Sequence, residues 1–198
     1  MKIDRNNISA IILAGGQGRR FQYRDKGLAQ WQDQPLISHV IAQIGPQVSD
    51  IVISCNRNLE QYQQYGYPCI RDQLTDFQGP LAGIASCLPH IKTDYCLICP
   101  CDSPILPPDL VARLSHSLLS SDGDISYVND GERDQYLFCL LKTSVATNLN
   151  RYLQQGNRRV RDWQQQHRAQ AADLSDLRGQ FLNINSPERL ATGNKKPQ

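Results

Sequence analysis

The chain alternates short apolar runs with segments in which apolar residues recur about every 3.6 positions. Short runs rich in β-branched residues are typical of strands that are buried on both faces of a sheet. The longer period predicts helices that pack against those faces. The predicted strands of the first half are 9–13, 50–54, 69–71 and 95–101, and the predicted helices are 36–44, 58–65, 81–88 and 107–119. This alternation predicts an α/β fold, a mostly parallel sheet with right-handed crossovers and helices on both faces.

The second half has a less regular pattern. Segments 124–128 and 135–141 predict two strands around the turn Asn129-Asp130-Gly131, as a hairpin or an antiparallel excursion. The remaining predicted elements are helices at 143–155 and 158–167, a late strand near 181–184 and a short helix from Ser186-Pro187-Glu188. The length of 198 residues suits one domain over residues 1–192, followed by a frayed tail at 193–198.

The balance of charge and the lack of long apolar runs narrow the classes of partner. The chain has 21 Lys and Arg against 19 Asp and Glu, and the net charge of +2 is too small to attract nucleic acid or an anionic membrane. No apolar run approaches the roughly 18 residues of a spanning helix. Residues 4–7 are polar and interrupt any signal-peptide core. We therefore expect a cytoplasmic protein that binds neither nucleic acid nor membrane.

Seven cysteines and four histidines are candidates for metal or nucleophilic chemistry. In a chain without a secretion signal we expect the cysteines to be reduced thiols. Zinc is disfavoured, because Cys99-Pro-Cys101 has no second cysteine pair or histidine pair at ligand spacing. We predict buried, unreactive strand cysteines and structural or surface roles for the scattered histidines, which are His39, His90, His116 and His167.

A glycine-rich segment, Leu13-Ala-Gly-Gly-Gln-Gly-Arg-Arg20, directly follows the first predicted strand. Open α/β sheets bind ligands at this carboxyl edge. Glycines let backbone N–H groups turn toward phosphate oxygens, and Arg19, Arg20 and Lys26 add positive charge beside them. The segment favours a polyphosphate site, and an ordinary βα turn with solvated arginines is the alternative.

The spacing of this segment excludes two common phosphate loops. A G-x-G-x-x-G fingerprint that starts at Gly16 would need a glycine at Phe21, and the second predicted strand ends without a ribose-binding acid. A P-loop needs Gly-Lys-Ser/Thr, whereas Lys26 precedes Gly27 and no hydroxyl follows. Neither a dehydrogenase nor a P-loop NTPase is supported.

Two aspartates follow predicted strands that should end at the same edge as the glycine segment. Magnesium prefers one or two carboxylates together with substrate phosphates and waters, so Asp102 is a candidate ligand. A turn aspartate before Ser103-Pro104 is an equally good interpretation of Asp102. Asp72 is the second candidate, and the glycines that follow it, Gly79 and Gly83, either admit a flat base or simply open a helix.

Six motifs stand in order from about residue 9 to residue 190. They are Leu13-Ala-Gly-Gly16 with Arg19-Arg20, Asp25-Lys-Gly-Leu28, Gly79-Pro-Leu-Ala-Gly83, Pro100-Cys-Asp-Ser-Pro104 with Pro107-Pro-Asp-Leu110, Asn129-Asp-Gly-Glu-Arg-Asp134 and Asn183-Ile-Asn-Ser-Pro-Glu188. Each motif is modest alone, but the ordered set covers essentially the whole chain. The set resembles the molybdenum cofactor guanylyltransferase family of the MobA type.

The resemblance implies a Rossmann-like nucleotidyltransferase fold and the transfer of GMP from GTP to the phosphate of Mo-molybdopterin, which gives Mo-molybdopterin guanine dinucleotide and pyrophosphate. It implies a half that binds GTP and magnesium at about 9–105 and a molybdopterin-side half at about 106–192. Mg²⁺ is the implied cofactor. The implied partners are GTP, Mo-molybdopterin and proteins of molybdenum cofactor biosynthesis or apo-molybdoenzymes.

The resemblance also implies roles for individual residues. Lys26 would contact the phosphates and Asp72 the base or ribose region, and the pair Gly15-Gly16 would favour guanine over the cytidylyl branch, which has Ala-Ala-Gly. Ser54 departs from the asparagine that usually ends the second strand, and Gln22-Tyr23 replace a glycine pair. The implied GTP-binding residues are Leu13, Ala14, Gly15, Gly16, Lys26, Asp72, Gly79, Gly83 and Asp102; the implied catalytic residues are Asp102, Lys26 and Arg20, with Asp102 on the metal; and the implied molybdopterin-side residues are Asn183 and Asn185.

Two alternatives to this function stay open, because a fold does not fix an acceptor. One is a nucleotidyltransferase for another phosphorylated acceptor, in the cytidylyl branch or for a sugar or isoprenoid phosphate. The other is a non-catalytic GTP-binding module. The basic segment Asn157-Arg-Arg-Val-Arg161, with Arg168 further on, is interpreted as a solvated helix face, and contact with a pterin phosphate or a partner protein is its alternative.

Overall fold

A computed structural model of the protein describes residues 3–16, 25–74, 78–181, 183–184 and 190. Its strands are β1 (Ile8–Leu13), β2 (Gln30–Trp31), β3 (Gln34–Pro35), β4 (Asp50–Ser54), β5 (Cys69–Ile70), β6 (Tyr95–Pro100), β7 (Ile125–Asn129), β8 (Asp134–Lys142) and β9 (Gln170–Asp173). Its α-helices are α1 (Leu36–Ile44), α2 (Leu59–Gln63), α3 (Pro80–Cys87), α4 (Leu110–Leu119), α5 (Ala146–Gln154) and α6 (Val160–Gln166). With ten residues at most, the α-helices in these ranges fall short of a bilayer crossing.

Seven strands form one sheet in the order β5-β4-β1-β6-β8-β7-β9. The first four strands in that order are mutually parallel. β8 runs antiparallel to both of its neighbours, β6 and β7, and β9 pairs parallel to β7. The predicted α/β fold with a mostly parallel sheet is confirmed. β7 and β8 form the predicted hairpin, in which β8 is the strand that runs against the other strands of the sheet.

The core lies in two layers, one on each face of this sheet. Alternate residues of β1 point to opposite faces, so Ile8, Ala10 and Ile12 join one apolar cluster while Ile11 joins the other. The first cluster includes buried residues of α1 and α4, and the second includes buried residues of α3 and α5 with Trp163 of α6. Helices therefore cover both faces, as the apolar runs of β1 and β6 require.

Two of the predicted elements differ from the structure. The helix that was expected to open at Pro107 begins at Leu110, because Pro107 and Pro108 belong to the preceding turn. The prediction of a late strand near 181–184 is wrong for the described residues of that range, which are not in a strand. Phe181 lies in a turn and packs on Phe138 at a ring distance of 5.2 Å. The apolar residues there anchor a connection, and β9 supplies the last strand of the sheet.

The sequence pattern also misses a small antiparallel hairpin of β2 and β3. Its turn residues Gln32 and Asp33 have φ values of 49° and 63°, which are more often taken by Asn or Gly. Trp31 is buried beside Leu36 and Ile184, which ties the hairpin to α1. The predicted helix from Ser186 and the predicted tail at 193–198 lie outside the described residues, apart from position 190.

Candidate functional site

The carboxyl ends of β1, β4 and β6 meet at one edge of the sheet. Leu13 pairs with Ser54 on one side and with Pro100 on the other. The ladder continues beyond the strands, because the Ala14 N–H donates to the Ser54 carbonyl at 2.8 Å and the Cys101 N–H donates to the Leu13 carbonyl at 3.1 Å. The glycine segment and the residues after β4 and β6 therefore leave the sheet side by side.

The start of the glycine segment is held by residues that follow β4. The Gly15 carbonyl accepts from Asn56 Nδ2 at 3.2 Å, and the Gly16 carbonyl accepts from Arg57 Nη2 at 3.1 Å. A Cβ on Gly15 would lie 3.0 Å from Asn56 Nδ2, so this backbone approach is close. Other residues of the segment and its neighbours, Arg19, Arg20, Gln22 and Tyr23, lie outside the described residues.

Lys26 and Asp102 form an ion pair at this edge. Lys26 Nζ donates to Asp102 Oδ2, and the two side chains are 21% and 14% exposed. The second carboxylate oxygen, Oδ1, is buried and has no hydrogen-bond partner among the described residues. Leaving such an oxygen unpaired is costly, and a hard cation is one group that can satisfy it. The Asp102 carbonyl accepts from the Ile184 N–H at 2.9 Å, which fixes the backbone behind the carboxylate.

The donor set around Asp102 suits a metal that is held largely by ligands from outside the chain. Within the ranges that the structure describes, no group of three or more His, Cys, Asp or Glu could enclose an ion. Magnesium commonly binds through one or two carboxylates, with substrate phosphates and waters completing its shell. The Asp102 carboxylate is a group that could serve as a ligand in this mode of binding.

Asp72 lies at the same edge, after β5, and is organised by Asn56. Asn56 donates from Nδ2 to Asp72 Oδ2 at 2.8 Å and accepts the Asp72 N–H at 2.9 Å. Burial raises the pKa of Asp72, and the side chains of Asn56 and Ser54 oppose that rise. Asp72 Oδ1 is buried and lacks a hydrogen-bond partner among the described residues. Asn56 thereby links the glycine segment to Asp72, a connection that the sequence interpretation missed.

Gly79 and Gly83 each have a local reason to be glycine. Gly79 precedes α3 with φ of 89°, a conformation that side chains rarely adopt. Gly83 lies inside α3, where a Cβ would stand 2.5 Å from Ser54 Oγ and 3.3 Å from Asp72 Oδ1. Both positions are explained by backbone conformation and packing, and Gly83 brings α3 directly against the site.

The close contact at Gly83 predicts that Gly83→Ala destabilises the protein. The added methyl group must displace Ser54 Oγ, and overpacking of this kind costs roughly 1–3 kcal/mol of unfolding free energy. Chemical denaturation measures the change. Removing the hydroxyl with Ser54→Ala in the same chain should restore most of the loss, whereas Gly45→Ala, with nothing within 4 Å of its Cβ position, should cost little. A Gly83→Ala protein as stable as the unsubstituted chain would show that α3 shifts freely.

A second part of the site lies on the other side of β6. Ser103 Oγ donates to Asn183 Oδ1, which connects the residues after Asp102 to a late segment of the chain. A cavity of about 270 Å³ opens beside this contact. It is lined by Pro100, Gln135, Tyr136, Leu137, Phe138, Val160 and Asn183. Asn185, the other predicted residue on this side, lies outside the described residues.

The basic segment at 157–161 is only partly a solvated face. Arg159 and Arg161 are exposed, which agrees with that interpretation. Arg158 is half-buried and donates to Gln78 Oε1 at 2.9 Å and to the Leu153 carbonyl at 2.8 Å. Arg158 therefore ties the turn before α6 to the segment that precedes α3.

The cysteines and two half-buried histidines, His39 and His167, have structural surroundings. All seven thiols are free, and burial raises the pKa values of Cys55, Cys87 and Cys139 to about 12. Such thiols stay protonated near neutral pH and are poor nucleophiles. His39 Nε2 lies 2.8 Å from the Trp31 carbonyl, and His167 Nε2 lies 2.9 Å from Asn148 Oδ1.

Asp25 is a further residue of the site that the sequence pattern did not identify, although it lies in the motif Asp25-Lys-Gly-Leu28. Asp25 accepts hydrogen bonds from the Tyr62 hydroxyl at 2.5 Å, from Asn58 Nδ2 at 3.0 Å and from the Gly27 N–H at 3.2 Å. Its position directly before Lys26 was the available signal. Nothing in the polar, glutamine-rich sequence of α2 marks Tyr62 as a residue that reaches the site.

Comparison with known proteins gives the same family and the same fold as the sequence resemblance. The profile of the family described as the MobA-like NTP transferase domain matches residues 10–171. A molybdenum cofactor guanylyltransferase of Pasteurella multocida is 44% identical over 184 residues, which cover 93% of this chain and 97% of that protein. A protein of the same name from Shewanella piezotolerans is 40% identical over 182 residues, which cover 92% of this chain and 89% of that protein.

A solved structure agrees with the architecture. The molybdopterin-guanine dinucleotide biosynthesis protein A of Archaeoglobus fulgidus superposes with a TM-score of 0.76, covering 94% of this chain and 96% of that chain. Its sequence identity of 23% makes this likeness evidence for the fold alone.

Proposed function

The chain belongs to the family of MobA-like NTP transferases, and from that membership we propose that it transfers GMP from GTP to the phosphate of Mo-molybdopterin. The products are Mo-molybdopterin guanine dinucleotide and pyrophosphate. The names of the relatives supply the reaction, and the arrangement of residues at the carboxyl edge of the sheet supplies a way to perform it.

The observation that carries the proposal is the ion pair of Lys26 and Asp102 beside the glycine segment. It combines a cation for phosphate oxygens with a carboxylate whose second oxygen is buried without a hydrogen-bond partner among the described residues. We assign Lys26 to the phosphates of GTP and Asp102 to Mg²⁺, which when bound neutralises charge on the triphosphate. Lys26 can exchange its hydrogen bond to Asp102 for one to an incoming phosphate.

The remaining nucleotide contacts surround this pair. Leu13, Ala14, Gly15 and Gly16 form the backbone at the end of β1 that we assign to GTP. Asp72 is assigned to the base or ribose, because its carboxylate is held in place by Asn56 and retains a buried, unsatisfied oxygen on the side of α3. Gly79 and Gly83 let α3 approach, and Arg20 is assigned to the phosphates from the motif alone.

The acceptor is assigned to the opposite side of β6. The cavity of about 270 Å³ is bounded by Pro100 and Asn183, and Asn183 is hydrogen-bonded to Ser103, next to Asp102. An acceptor bound here would have its phosphate near the carboxylate end of the ion pair. Asn185 is assigned to the same side from the motif.

The chemistry needs no general base on the protein. A phosphate monoester has a second pKa of about 6 and is largely dianionic near neutral pH. Its oxygen attacks the α-phosphorus of GTP, forming a new P–O bond while the bond to the β-phosphate bridging oxygen breaks and pyrophosphate leaves with that electron pair. Lys26 and Arg20 would position the phosphates and stabilise their charge, and Asp102 would hold the metal ion.

The direct test is incubation of the protein with GTP, Mg²⁺ and Mo-molybdopterin, followed by mass analysis of the product and an assay for pyrophosphate. The expected product is Mo-molybdopterin guanine dinucleotide, with one pyrophosphate for each product molecule. The same mixture with CTP, or with a sugar or isoprenoid phosphate in place of molybdopterin, should give little product. GTP binding without pyrophosphate release would instead indicate a non-catalytic module.

The proposed function predicts a preference among nucleotides. We expect GTP to bind at least tenfold more tightly than ATP or CTP, a difference of about 1.4 kcal/mol in binding free energy. The pair Gly15-Gly16 follows the guanylyl pattern, and a site shaped for one base edge leaves polar groups unpaired when another base enters. Isothermal titration calorimetry with Mg²⁺ measures the three dissociation constants. Equal affinities would remove the basis for the guanine assignment.

A further inference from the structure

Lys26 lies on a turn that contacts α2, a helix that carries none of the assigned site residues. Asp25, the residue before Lys26, directs its carboxylate at this helix. Oδ1 accepts from the Tyr62 hydroxyl at 2.5 Å, and Oδ2 accepts from Asn58 Nδ2 at 3.0 Å. Asn58 is the residue that precedes α2, and Tyr62 lies four residues later within α2, so both donors come from the start of this helix. α2 thus holds Asp25 from two directions.

The residue after Lys26 meets the same hydroxyl group. The Gly27 N–H donates to Asp25 Oδ1 at 3.2 Å, which closes the turn around Lys26. A Cβ on Gly27 would lie 2.5 Å from the Tyr62 hydroxyl oxygen and 3.1 Å from Cys101 Sγ. Cys101 is the residue directly before Asp102. The Tyr62 hydroxyl and the Cys101 thiol therefore both lie against Gly27, so the turn that carries Lys26 meets α2 and the chain segment that carries Asp102 at the same place.

Tyr62 is fully buried, and its hydroxyl needs a partner. Packing alone would be served by phenylalanine, so the hydrogen bond to a carboxylate is the feature that distinguishes this residue. Burial raises the pKa of Tyr62 well above its usual range, and the nearby thiol of Cys101 and carboxylate of Asp25 add to the rise. The hydroxyl thus remains a donor throughout the working pH range.

We propose that Tyr62 is a positioning residue for nucleotidyl transfer, which acts through Asp25 to hold Lys26 beside Asp102. The proposal rests on the proposed function for the role of Lys26. Tyr62 itself is assigned no contact with substrate.

The test is a double-mutant cycle between Tyr62→Phe and Lys26→Ala, measured as kcat/KM for GMP transfer to Mo-molybdopterin. Tyr62→Phe alone should lower kcat/KM by about tenfold, since the turn loses a charge-assisted hydrogen bond. In the Lys26→Ala background the same substitution should change kcat/KM by less than about twofold, because the group that it positions is already gone. A merely structural tyrosine would cost the same factor in both backgrounds.

The chain offers a matched control in Tyr65→Phe. Tyr65 follows the same helix, packs against the same core cluster and accepts a hydrogen bond from Ser38 Oγ at 3.1 Å. The Tyr65→Phe protein should lose some stability, while its kcat/KM stays within about twofold of the value for the unsubstituted protein. If Tyr62→Phe fails to fold, Asp25→Ala removes the acceptor instead and should give the same pattern across the cycle.

Failure of this inference and failure of the proposed function can be told apart. Unchanged kcat/KM in Tyr62→Phe, or an equal loss in both Lys26 backgrounds, would overturn the role of Tyr62 while GMP transfer stands. An unsubstituted protein without transfer activity would overturn the proposed function. In that event, the dissociation constant of GTP is measured for the unsubstituted protein, the two single variants and the double variant. The same tenfold and twofold limits, applied to this constant, then decide whether Tyr62 acts through Lys26.

Discussion

Replacing Asp102 by asparagine is expected to slow GMP transfer by about a hundredfold or more while the protein still folds. Asparagine keeps the size of the side chain and one oxygen, and it removes the charge that a hard cation requires. Loss of one electrostatic contact to the charge that develops in the transition state costs roughly 3–4 kcal/mol, which corresponds to that factor in rate. Single-turnover kinetics with saturating GTP and Mg²⁺ measure it.

Binding and chemistry should separate in this variant. Affinity for GTP without metal should change little, because removal of a negative charge near phosphates does not weaken their binding. Asp124→Asn is a matched control, since Asp124 also pairs with a lysine, Lys142, at 3.0 Å and lies toward the opposite edge of the sheet. If a folded Asp102→Asn protein kept most of its magnesium-dependent activity, the metal ligand would have to be another acidic residue. Asp72 would be the next candidate, since its Oδ1 is buried without a hydrogen-bond partner among the described residues.

Lys26→Ala is expected to lower kcat/KM for GTP by roughly a hundredfold, the scale of losing one preorganised charge contact. The substitution removes the ammonium group that offsets phosphate charge, and it also leaves Asp102 as an unneutralised carboxylate facing the triphosphate. Steady-state kinetics and calorimetry divide the loss between turnover and binding.

The control for this variant is Lys142→Ala, which breaks the Lys142–Asp124 ion pair away from the site and should leave kcat/KM unchanged. Circular dichroism should show that both proteins fold. Unchanged kinetics in Lys26→Ala would transfer the phosphate role to Arg19 or Arg20, the other basic residues of the motif.

The parts of the fold that could be predicted from sequence are those whose burial leaves a pattern. β1 and β6 are covered on both faces and show as apolar runs, and α1 buries one stripe and shows the helical period over its full length. β9 has the sequence Gln-Ala-Ala-Asp and buries one alanine, so it leaves no such pattern. The apolar residues around Phe181 have the pattern of a strand, but the described ones pack a connection onto the core.

The residues of the site also divide into those that could be predicted from the sequence and those that could not. Asp72 and Asp102 could be placed together because parallel strands end at one edge, which follows from topology alone. The contacts of Asn56, Asp25 and Tyr62 depend on how loops and α2 fold back over that edge, at sequence separations of up to 41 residues. The local sequence pattern does not predict hydrogen bonds between residues that lie so far apart in the chain. The ordered motifs indicated the reaction, while the supporting contacts needed the structure.

The shortness of the outer strands has a consequence for how the molecule behaves at high concentration. A sheet edge is a template on which a strand of another chain can pair, and long flat edges promote aggregation. Among the described residues, the sheet ends in β5, with two residues, and in β9, with four. Either edge offers a foreign strand only a few backbone hydrogen bonds, too few to repay the entropy of ordering it. The longer strands, which would pair more readily with a strand of another chain, each lie between two neighbouring strands of the sheet.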